Sequence, residues 1–310
     1  MKHPKLLFAG TPEFARTSLQ ALIASGVTPV AVLTQPDRPA GRGKRLTASP
    51  VKHLAEELGI PVLQPARLGD PAVISELENL GPDIMIVVAY GLLLPQSVLD
   101  IPARGCVNVH ASVLPRWRGA APIQAAILAG DAQTGVSLMA MTAGLDTGPV
   151  FATATLDIAA GETAGELGDR LAVLGGRLLL EKLDSIAAGT LVAVPQDDSC
   201  STYAGKIDTQ HAAMDWSRPA MELQRVVSAF NPTPGAWFML DDERIKCWEA
   251  EVCAGVACKA GTIISADQDG IVVACGEGAL RLTSLQRPGK RRVAAREFAA
   301  QINMRDRRLG

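Results

Sequence analysis

The clearest candidates for chemistry lie in the stretch NVHASVLPRWRG. Val107 and Val109 alternate as apolar residues on one face of a buried strand. Asn108 and His110 lie on the opposite face, just before a proline interrupts the strand. An amide and an imidazole at one strand end supply two hydrogen-bond donors for negative charge that develops on a substrate oxygen. The pattern therefore predicts an oxyanion-stabilising site.

A third polar residue, Asp146, lies in the glycine-flanked loop AGLDTGPV. An isolated histidine at a strand end is better interpreted as a structural residue, with its imidazole hydrogen-bonded to backbone groups. A neighbouring carboxylate favours a catalytic role for His110 instead, because it could orient the imidazole and hold its proton. Such a set needs no Ser or Cys nucleophile, so it suits attack by the substrate's own amine on an activated acyl group.

These residues need a sheet that brings strand ends together. As far as residue 189, β-like runs alternate with helical stretches, which predicts an α/β fold with a doubly wound, Rossmann-like, mostly parallel sheet. Ligands bind such sheets outside the carboxyl ends of the strands. The turns at Gly10 and Gly91 are expected there with the Asn108 stretch, and the Asp146 loop at the same edge. The first turn reads Gly-Thr-Pro and lacks G-x-G-x-x-G, which argues against a dinucleotide enzyme.

The second part of the chain has a different pattern. Residues 190–205, TLVAVPQDDSCSTYAG, mix Pro, Asp, Ser and Gly without a period and are interpreted as a linker. Beyond them, short β-like runs separated by turns predict a small, OB-like β-barrel. The expected organisation is a catalytic domain over 1–189, this linker, and a second domain over 206–310.

Composition narrows the class of protein. The 310 residues are 48% hydrophobic and 20% charged, as in a globular protein with an ample core. No apolar run approaches the ~20 residues of a membrane span, and no signal-peptide pattern opens the chain, so a cytoplasmic protein without membrane partners is expected. The six cysteines include no C-x-x-C, and with four scattered histidines they predict no metal site.

Residues 108–150 resemble the catalytic half of the folate-dependent formyltransferases. The likeness continues over nearly the whole chain, in FAGTPEFA, QPDRPAGRGKRL, KIDTQHAAMDW, FNPTPGAW and LQRPGKRRVAAREF. The Asn, the His, the SVLP turn and the L-D-T-G loop are typical of the superfamily as a whole. The basic QPDRPAGRGKRL loop and the second domain are typical of the branch whose acceptor is initiator methionyl-tRNA.

The resemblance implies transfer of a formyl group from 10-formyltetrahydrofolate to the α-amine of methionine on initiator tRNA. Asn108 and a protonated His110 would stabilise the tetrahedral oxyanion. Asp146 would orient His110 and, with a water, assist proton transfer. The folate would be held in the cleft by the loop around Asp146 and by the turns at 89–95 and 112–115. The residues assigned to the folate in these two turns are Tyr90, Gly91, Ser112, Val113, Leu114 and Pro115.

Two basic segments are assigned to RNA by the same likeness. In the loop at 35–46, Arg42 would be the key contact with the acceptor stem, with Lys44 and Arg45 beside it. A flexible basic segment that orders on RNA is physically reasonable. Residues 287–310 carry eight Lys or Arg against two acidic residues, which is either a solvated face or a phosphate-binding surface. The proposed contacts there are Lys290, Arg291 and Arg292.

Other functions fit parts of the sequence. A sugar-nucleotide amine formyltransferase would share the fold, the donor and the three polar residues, but it would not need a basic second domain. Glycinamide ribonucleotide formyltransferase would need only about the first two thirds of the chain. A non-enzymatic RNA-binding protein would leave the polar set unexplained. Ser228 and Thr233 replace an Arg and a Trp that are frequent in the family. The protein is expected to be a monomer.

Overall fold

The computed structural model describes residues 4–40, 45–254, 258–301 and 308–310. The chain divides into two compact units. The first comprises the chain up to Pro122, with Thr134–Leu156 and Gly168–Ala204, and the second comprises Ile123–Gln133, Asp157–Leu167 and the chain from Gly205 onward. Within the described ranges, no helix has the length and apolar character needed to cross a membrane.

The first unit is built on a seven-stranded sheet of order β10-β9-β7-β6-β1-β2-β5. Strands β1, β2, β5, β6 and β7 are parallel, whereas β9 is antiparallel to β7. This confirms the predicted doubly wound, mostly parallel sheet. The strands up to residue 204 are β1 (Leu6–Gly10), β2 (Ala31–Leu33), β3 (Arg38–Ala40), β4 (Arg45–Thr47), β5 (Val62–Leu63), β6 (Ile84–Val88), β7 (Cys106–His110), β8 (Arg118–Gly119), β9 (Gln133–Ala140), β10 (Val150–Asp157) and β11 (Tyr203–Ala204).

Apolar strands and capped helices account for this architecture. Every residue of β1 and β6 is buried, as expected for central strands covered on both faces. Ser49 and Asp70 each accept a hydrogen bond from a backbone N–H of the following helix, and each is followed by a proline at the first helical position. The helices of this part of the chain are α1 (Glu13–Ala24), α2 (Pro50–Glu57), α3 (Pro71–Leu80), α4 (Gln96–Leu99), α5 (Pro122–Ala129) and α6 (Ala164–Ala187).

The second unit contains a six-stranded antiparallel sheet, as predicted for the second domain. Its order is β12-β13-β16-β15-β14, with β17 paired to β16. A core of apolar residues from this sheet and its helices includes Phe230, Phe238 and Phe298, each 1% exposed. The elements are α7 (Ala220–Ala229), β12 (Ala236–Leu240), β13 (Glu243–Cys253), β14 (Ile263–Asp267), β15 (Gly270–Ala274), β16 (Ala279–Gln286), β17 (Val293–Ala294) and α8 (Ala295–Gln301).

Residues 308–310 join the two edges of this second sheet. Met239 of β12 and Gly310 exchange two backbone hydrogen bonds, of 2.9 and 3.4 Å. Leu309 donates to the carbonyl of Gly261, directly before β14, and Arg308 forms a bridge with Thr262. The hydrogen bonding therefore runs from one edge strand to the other, which gives the barrel-like closure expected of an OB-like sheet.

Candidate active site

Strand β7 carries Asn108 and His110 side by side at its carboxyl end. Asn108 pairs in register with Val87 of β6 on one side and with Met139 of β9 on the other. His110 is the last residue of the strand and lies opposite Ser137. The His110 ring is buried and Asn108 is half-buried. Because both positions are fixed by neighbouring strands, the two side chains are held by the sheet and not by a loop.

The His110 ring lies between two acceptors. Its Nε2 is 3.0 Å from the carbonyl oxygen of Trp117, and its Nδ1 is 3.8 Å from Oδ2 of Asp146. A carbonyl oxygen can only accept, so Nε2 carries a hydrogen. Nδ1 faces the Asp146 carboxylate beyond hydrogen-bond distance, so this contact is electrostatic. The negative charge of Asp146 therefore lies beside the ring.

Asp146 is held at its carboxylate and at its backbone. Oδ2 accepts a 2.9 Å hydrogen bond from the backbone N–H of Gly119, and Oδ1 lies 3.4 Å from Nδ2 of Asn108. The residue has φ +51°, a left-handed conformation that costs free energy outside glycine. The structure therefore brings Asn108 and His110 together around the carboxylate of Asp146.

The route of the chain to Asp146 differs from the expectation. The sequence places its loop at the same sheet edge as the other turns, but β9 runs antiparallel to β7. The loop consequently starts near the other end of β7, where Met141 donates to the carbonyl of Cys106 at 2.8 Å. Asp146 reaches Asn108 and His110 from there. The antiparallel direction of β9 accounts for this difference.

Residues 190–204 are bound to the first unit along their length. Val194 and Val150 exchange two hydrogen bonds of 2.8 Å. Thr202 accepts the backbone N–H of Trp117 at its side chain and that of Arg118 at its carbonyl, both at 2.9 Å. The segment ends in β11, which pairs with β8. The stretch interpreted as a linker thus lies against the loop that follows His110.

Glycine permits the close pairing of β8 with β11. Gly119 has φ +115°, and a Cβ at this position would collide with the carbonyl oxygen of Ala204. Any other residue would separate the two short strands. The same glycine donates its N–H to Asp146, so the backbone here contributes directly to the arrangement of the polar set.

The turn after β6 contains two of the predicted folate-binding residues. The Tyr90 side chain is 2% exposed, its hydroxyl has no hydrogen-bond partner among the described residues, and burial raises its pKa to about 12. The Tyr90 carbonyl accepts from Thr11 at 2.8 Å and from Gln35 at 2.9 Å. Gly91 has φ +82° and lies against the Gln35 side chain. These bonds fix the backbone of the turn.

The turn at 112–115 contains the other four. The Ser112 hydroxyl donates to the carbonyl of Arg116 at 2.6 Å, and Leu114 donates to Ser137 Oγ at 3.0 Å. Ser112 and Leu114 are buried, whereas Val113 and Pro115 are half-buried. These bonds use the Ser112 hydroxyl and the Leu114 N–H to hold the turn. The Ser112 hydroxyl is therefore already engaged within the protein.

The predicted RNA-binding loop is described only at its base. Arg42 and Lys44 lie outside the described residues, and Arg45 begins β4, which pairs with β3 as a hairpin. At the foot of the hairpin, Lys52 Nζ donates to Asp37 at 2.8 Å and to Gln64 at 2.9 Å. Its hydrogen bond holds the pKa of Asp37 below the usual range. An ordered polar network thus supports this end of the hairpin.

The cations proposed on the second unit are exposed. Lys290 stands in the turn after β16, where its N–H donates to the carbonyl of Arg287 at 3.1 Å. Arg292 lies over the ring of Trp248 at 4.4 Å and 3.7 Å from Glu249. Arg291 is 3.8 Å from Glu297. We call Lys290, Arg291 and Arg292 the basic rim.

The two departures from the family pattern have different surroundings. Ser228 is buried in α7, accepts from Gln224 at 3.0 Å and donates to the carbonyl of Gly161 at 3.2 Å. A buried, bonded serine is a structural residue of this unit. Thr233 is exposed between β12 and α7.

Comparison with known proteins shows the family of the chain. Residues 5–183 match the formyl transferase family, and residues 206–303 match the formyl transferase C-terminal domain family. The chain therefore belongs to the formyl transferase family. Among the described residues, no group of three or more His, Cys, Asp or Glu side chains is placed to hold a metal ion.

Similar curated proteins define the branch. The chain is 55% identical over 285 residues to a methionyl-tRNA formyltransferase of Pseudomonas syringae pv. syringae, which covers 92% of this chain and 90% of the relative. It is 53% identical over 301 residues to a methionyl-tRNA formyltransferase of Pseudomonas paraeruginosa, which covers 97% and 96%. Within the family, the chain groups with the methionyl-tRNA formyltransferases.

Solved structures share the fold at lower identity. An N-formyltransferase from Helicobacter canadensis, in complex with folinic acid and dTDP-3-aminofucose, has a TM-score of 0.68 and 18% identity over 92% of this chain and 99% of its own. HypX from Aquifex aeolicus, in complex with tetrahydrofolic acid, has a TM-score of 0.66 and 18% identity over 97% of this chain and 47% of its own. At this identity the likeness establishes the fold alone.

Proposed function

We propose that this protein transfers the formyl group of 10-formyltetrahydrofolate to the α-amine of methionine esterified to initiator tRNA. The observation that carries the proposal is the meeting of Asn108, His110 and Asp146 at the end of β7, in a chain about 55% identical to methionyl-tRNA formyltransferases. A structure of the same fold holds tetrahydrofolic acid, which supports folate as the donor.

The polar set stabilises charge during the reaction. The amine nitrogen bonds to the formyl carbon, the bond from that carbon to the folate nitrogen breaks, and one proton moves from the amine to the folate. Negative charge develops on the formyl oxygen in between. Asn108 Nδ2 and a protonated His110 donate to that oxygen once the substrates draw them from their present acceptors. Asp146 keeps His110 positive and, with a water, passes on the proton.

The other proposed binding residues form two groups, one that contacts the folate and one that contacts the tRNA. The turns that contain Tyr90 and Gly91, and Ser112 to Pro115, form the walls of the folate cleft. The 35–46 loop, with Arg42, Lys44 and Arg45, holds the acceptor stem, and the basic rim binds phosphates further along the RNA. The sheet supplies fixed positions for the reaction, and the cations supply attraction for a large polyanion.

One assay tests the proposal against its alternatives. Purified protein and 10-formyltetrahydrofolate are incubated separately with methionyl initiator tRNA, methionyl elongator tRNA, a dTDP-linked amino sugar and glycinamide ribonucleotide. We expect formyl transfer to the initiator tRNA and no turnover of the sugar or the ribonucleotide. Comparable turnover of the amino sugar would overturn the proposal and support the sugar-nucleotide alternative.

A further inference from the structure

The Gln196 side chain joins the Asp146 loop to a buried arginine. Its Nε2 donates to the carbonyl of Asp146 at 2.8 Å and to the carbonyl of Gly148 at 2.7 Å. Its Oε1 accepts from Nε of Arg118 at 3.0 Å and from Nη2 at 2.9 Å. Both donors and both acceptor positions of the amide are therefore used.

This pattern fixes the orientation of the amide. If the amide were flipped, its oxygen would face two carbonyl oxygens and its NH2 would face a guanidinium, so all four contacts would become repulsive. Arg118 is 1% exposed, and its Nη2 also bonds Oδ1 of the exposed Asp198 at 2.7 Å. The buried cation thus holds Gln196, and Gln196 holds the loop.

Asp146 depends on this support because of its backbone conformation. A non-glycine residue at φ +51° returns to a more favourable conformation unless its surroundings hold it. Gln196 binds its carbonyl, while Gly119, the residue after Arg118, binds its carboxylate. Two segments joined by the Gln196–Arg118 hydrogen bonds therefore fix both ends of Asp146.

From these contacts we infer that Gln196 is a positioning residue for the formyl transfer. It acts through Asp146, whose carboxylate it keeps beside His110. The inference rests on the proposed function for the identity of the reaction. Residues 190–204 would then contribute to catalysis, because this segment contains Gln196.

Two substitutions at Gln196 test the inference. Gln196→Leu removes the hydrogen bonds to Asp146, Gly148 and Arg118 at similar size. Gln196→Glu keeps the shape but sets a carboxylate against the two carbonyls. We expect kcat to fall by about 10- to 100-fold in both, because displacements of about 1 Å carry costs of that order. The KM values for folate and tRNA should change little. Gln133→Leu is the matched control, since that side chain bonds only the exposed Asp157 among the described contacts.

A spectroscopic measurement separates positioning from loss of structure. The chain has four histidines, so the ring signals of His110 can be assigned by NMR with a His110→Ala variant. Gln196→Leu should move the His110 ring signals without substrate, whereas Gln133→Leu should leave them in place. Unchanged His110 signals with wild-type kcat would overturn the inference, as would a loss of thermal stability with kcat intact.

The test of Gln196 does not depend on which amine accepts the formyl group. If wild-type protein formylates an amine other than that of methionyl-tRNA, the proposed function fails. Gln196 is then tested on the amine that is turned over, by the same ratio of kcat values and the same NMR shifts.

Discussion

The polar set at the end of β7 and the basic rim hold their charged groups in opposite ways. His110 and Asp146 have side chains 7% and 14% exposed, and each contacts groups that are themselves fixed by strands or turns. The Arg291 side chain is 85% exposed, and its nearest carboxylate lies 3.8 Å away. Chemistry on a formyl group requires donors at defined points, whereas attraction to phosphates requires only charge within reach.

Substitutions at Asn108 and His110 should have the largest effect on turnover. His110→Ala and Asn108→Ala should each lower kcat by about 10²–10³-fold, because their donors act on charge that develops in the transition state. Folate binding, measured by titration, should stay near the wild-type value. Wild-type-like kinetics in either variant would falsify the oxyanion assignment.

A smaller change at Asp146 tests whether charge or shape matters there. Asp146→Asn keeps the shape but removes the negative charge beside His110, and it places an NH2 group where Asn108 or Gly119 now donates. We expect a loss in kcat on the order of 10²-fold and an altered pH–rate profile. Steady-state rates across a pH series measure both. A profile that overlays the wild type would make Asp146 a structural residue.

The 35–46 loop should behave as an intermediate case, with a binding and a positioning component. Arg42→Ala should raise the apparent KM for tRNA by about tenfold or more, through loss of one charge-assisted contact, and should also lower kcat. The KM for folate should change far less. Equal impairment with a minimal amine acceptor and with the full tRNA would indicate a folding defect instead.

Replacement of the basic rim should have the smallest effect on turnover. With Lys290, Arg291 and Arg292 all changed to Ala, we expect weaker tRNA binding and a slope of log K against log salt that is flatter by roughly 2 to 3 units. Affinity for folate should be unchanged. Binding across a salt series measures the slope, and a triple substitution at Arg16, Arg177 and Lys182 controls for the lost charge. If the slope and the affinity both stay the same, the rim is a solvated face.

The sequence predicts the strand-borne part of the site well. Alternation around Asn108 and His110 specifies a strand face, and an unbroken apolar run specifies β6 as its buried neighbour. Both signals are local, so they can be recognised without a partner. Asp146 was found by its glycine-flanked loop, although the direction of the preceding strand was not.

The parts held by distant partners could not be predicted in this way. Residues 190–204 have the composition of an irregular segment, and composition is the same whether such a segment is free or bound. Strands β8 and β11 have two residues each, too few for any alternation. Helix α5 was not predicted, because PIQAAILA is apolar on nearly all sides and gives no helical period. Gln196 gave no signal of its own.

The attachment of residues 196–204 also sets an order in time during synthesis. Asn108 and Asp146 leave the ribosome first, and Ala204 follows Asp146 by about 60 residues, which takes roughly 3–12 s at about 5–20 residues per second. Once Asp157 has been added, the strands of the first sheet are all present, but neither Gln196 nor β11 is there to hold the Asp146 loop. A nascent chain thus contains every strand of this sheet before it contains the segment that positions Asp146, and a chain released within this interval would lack that segment.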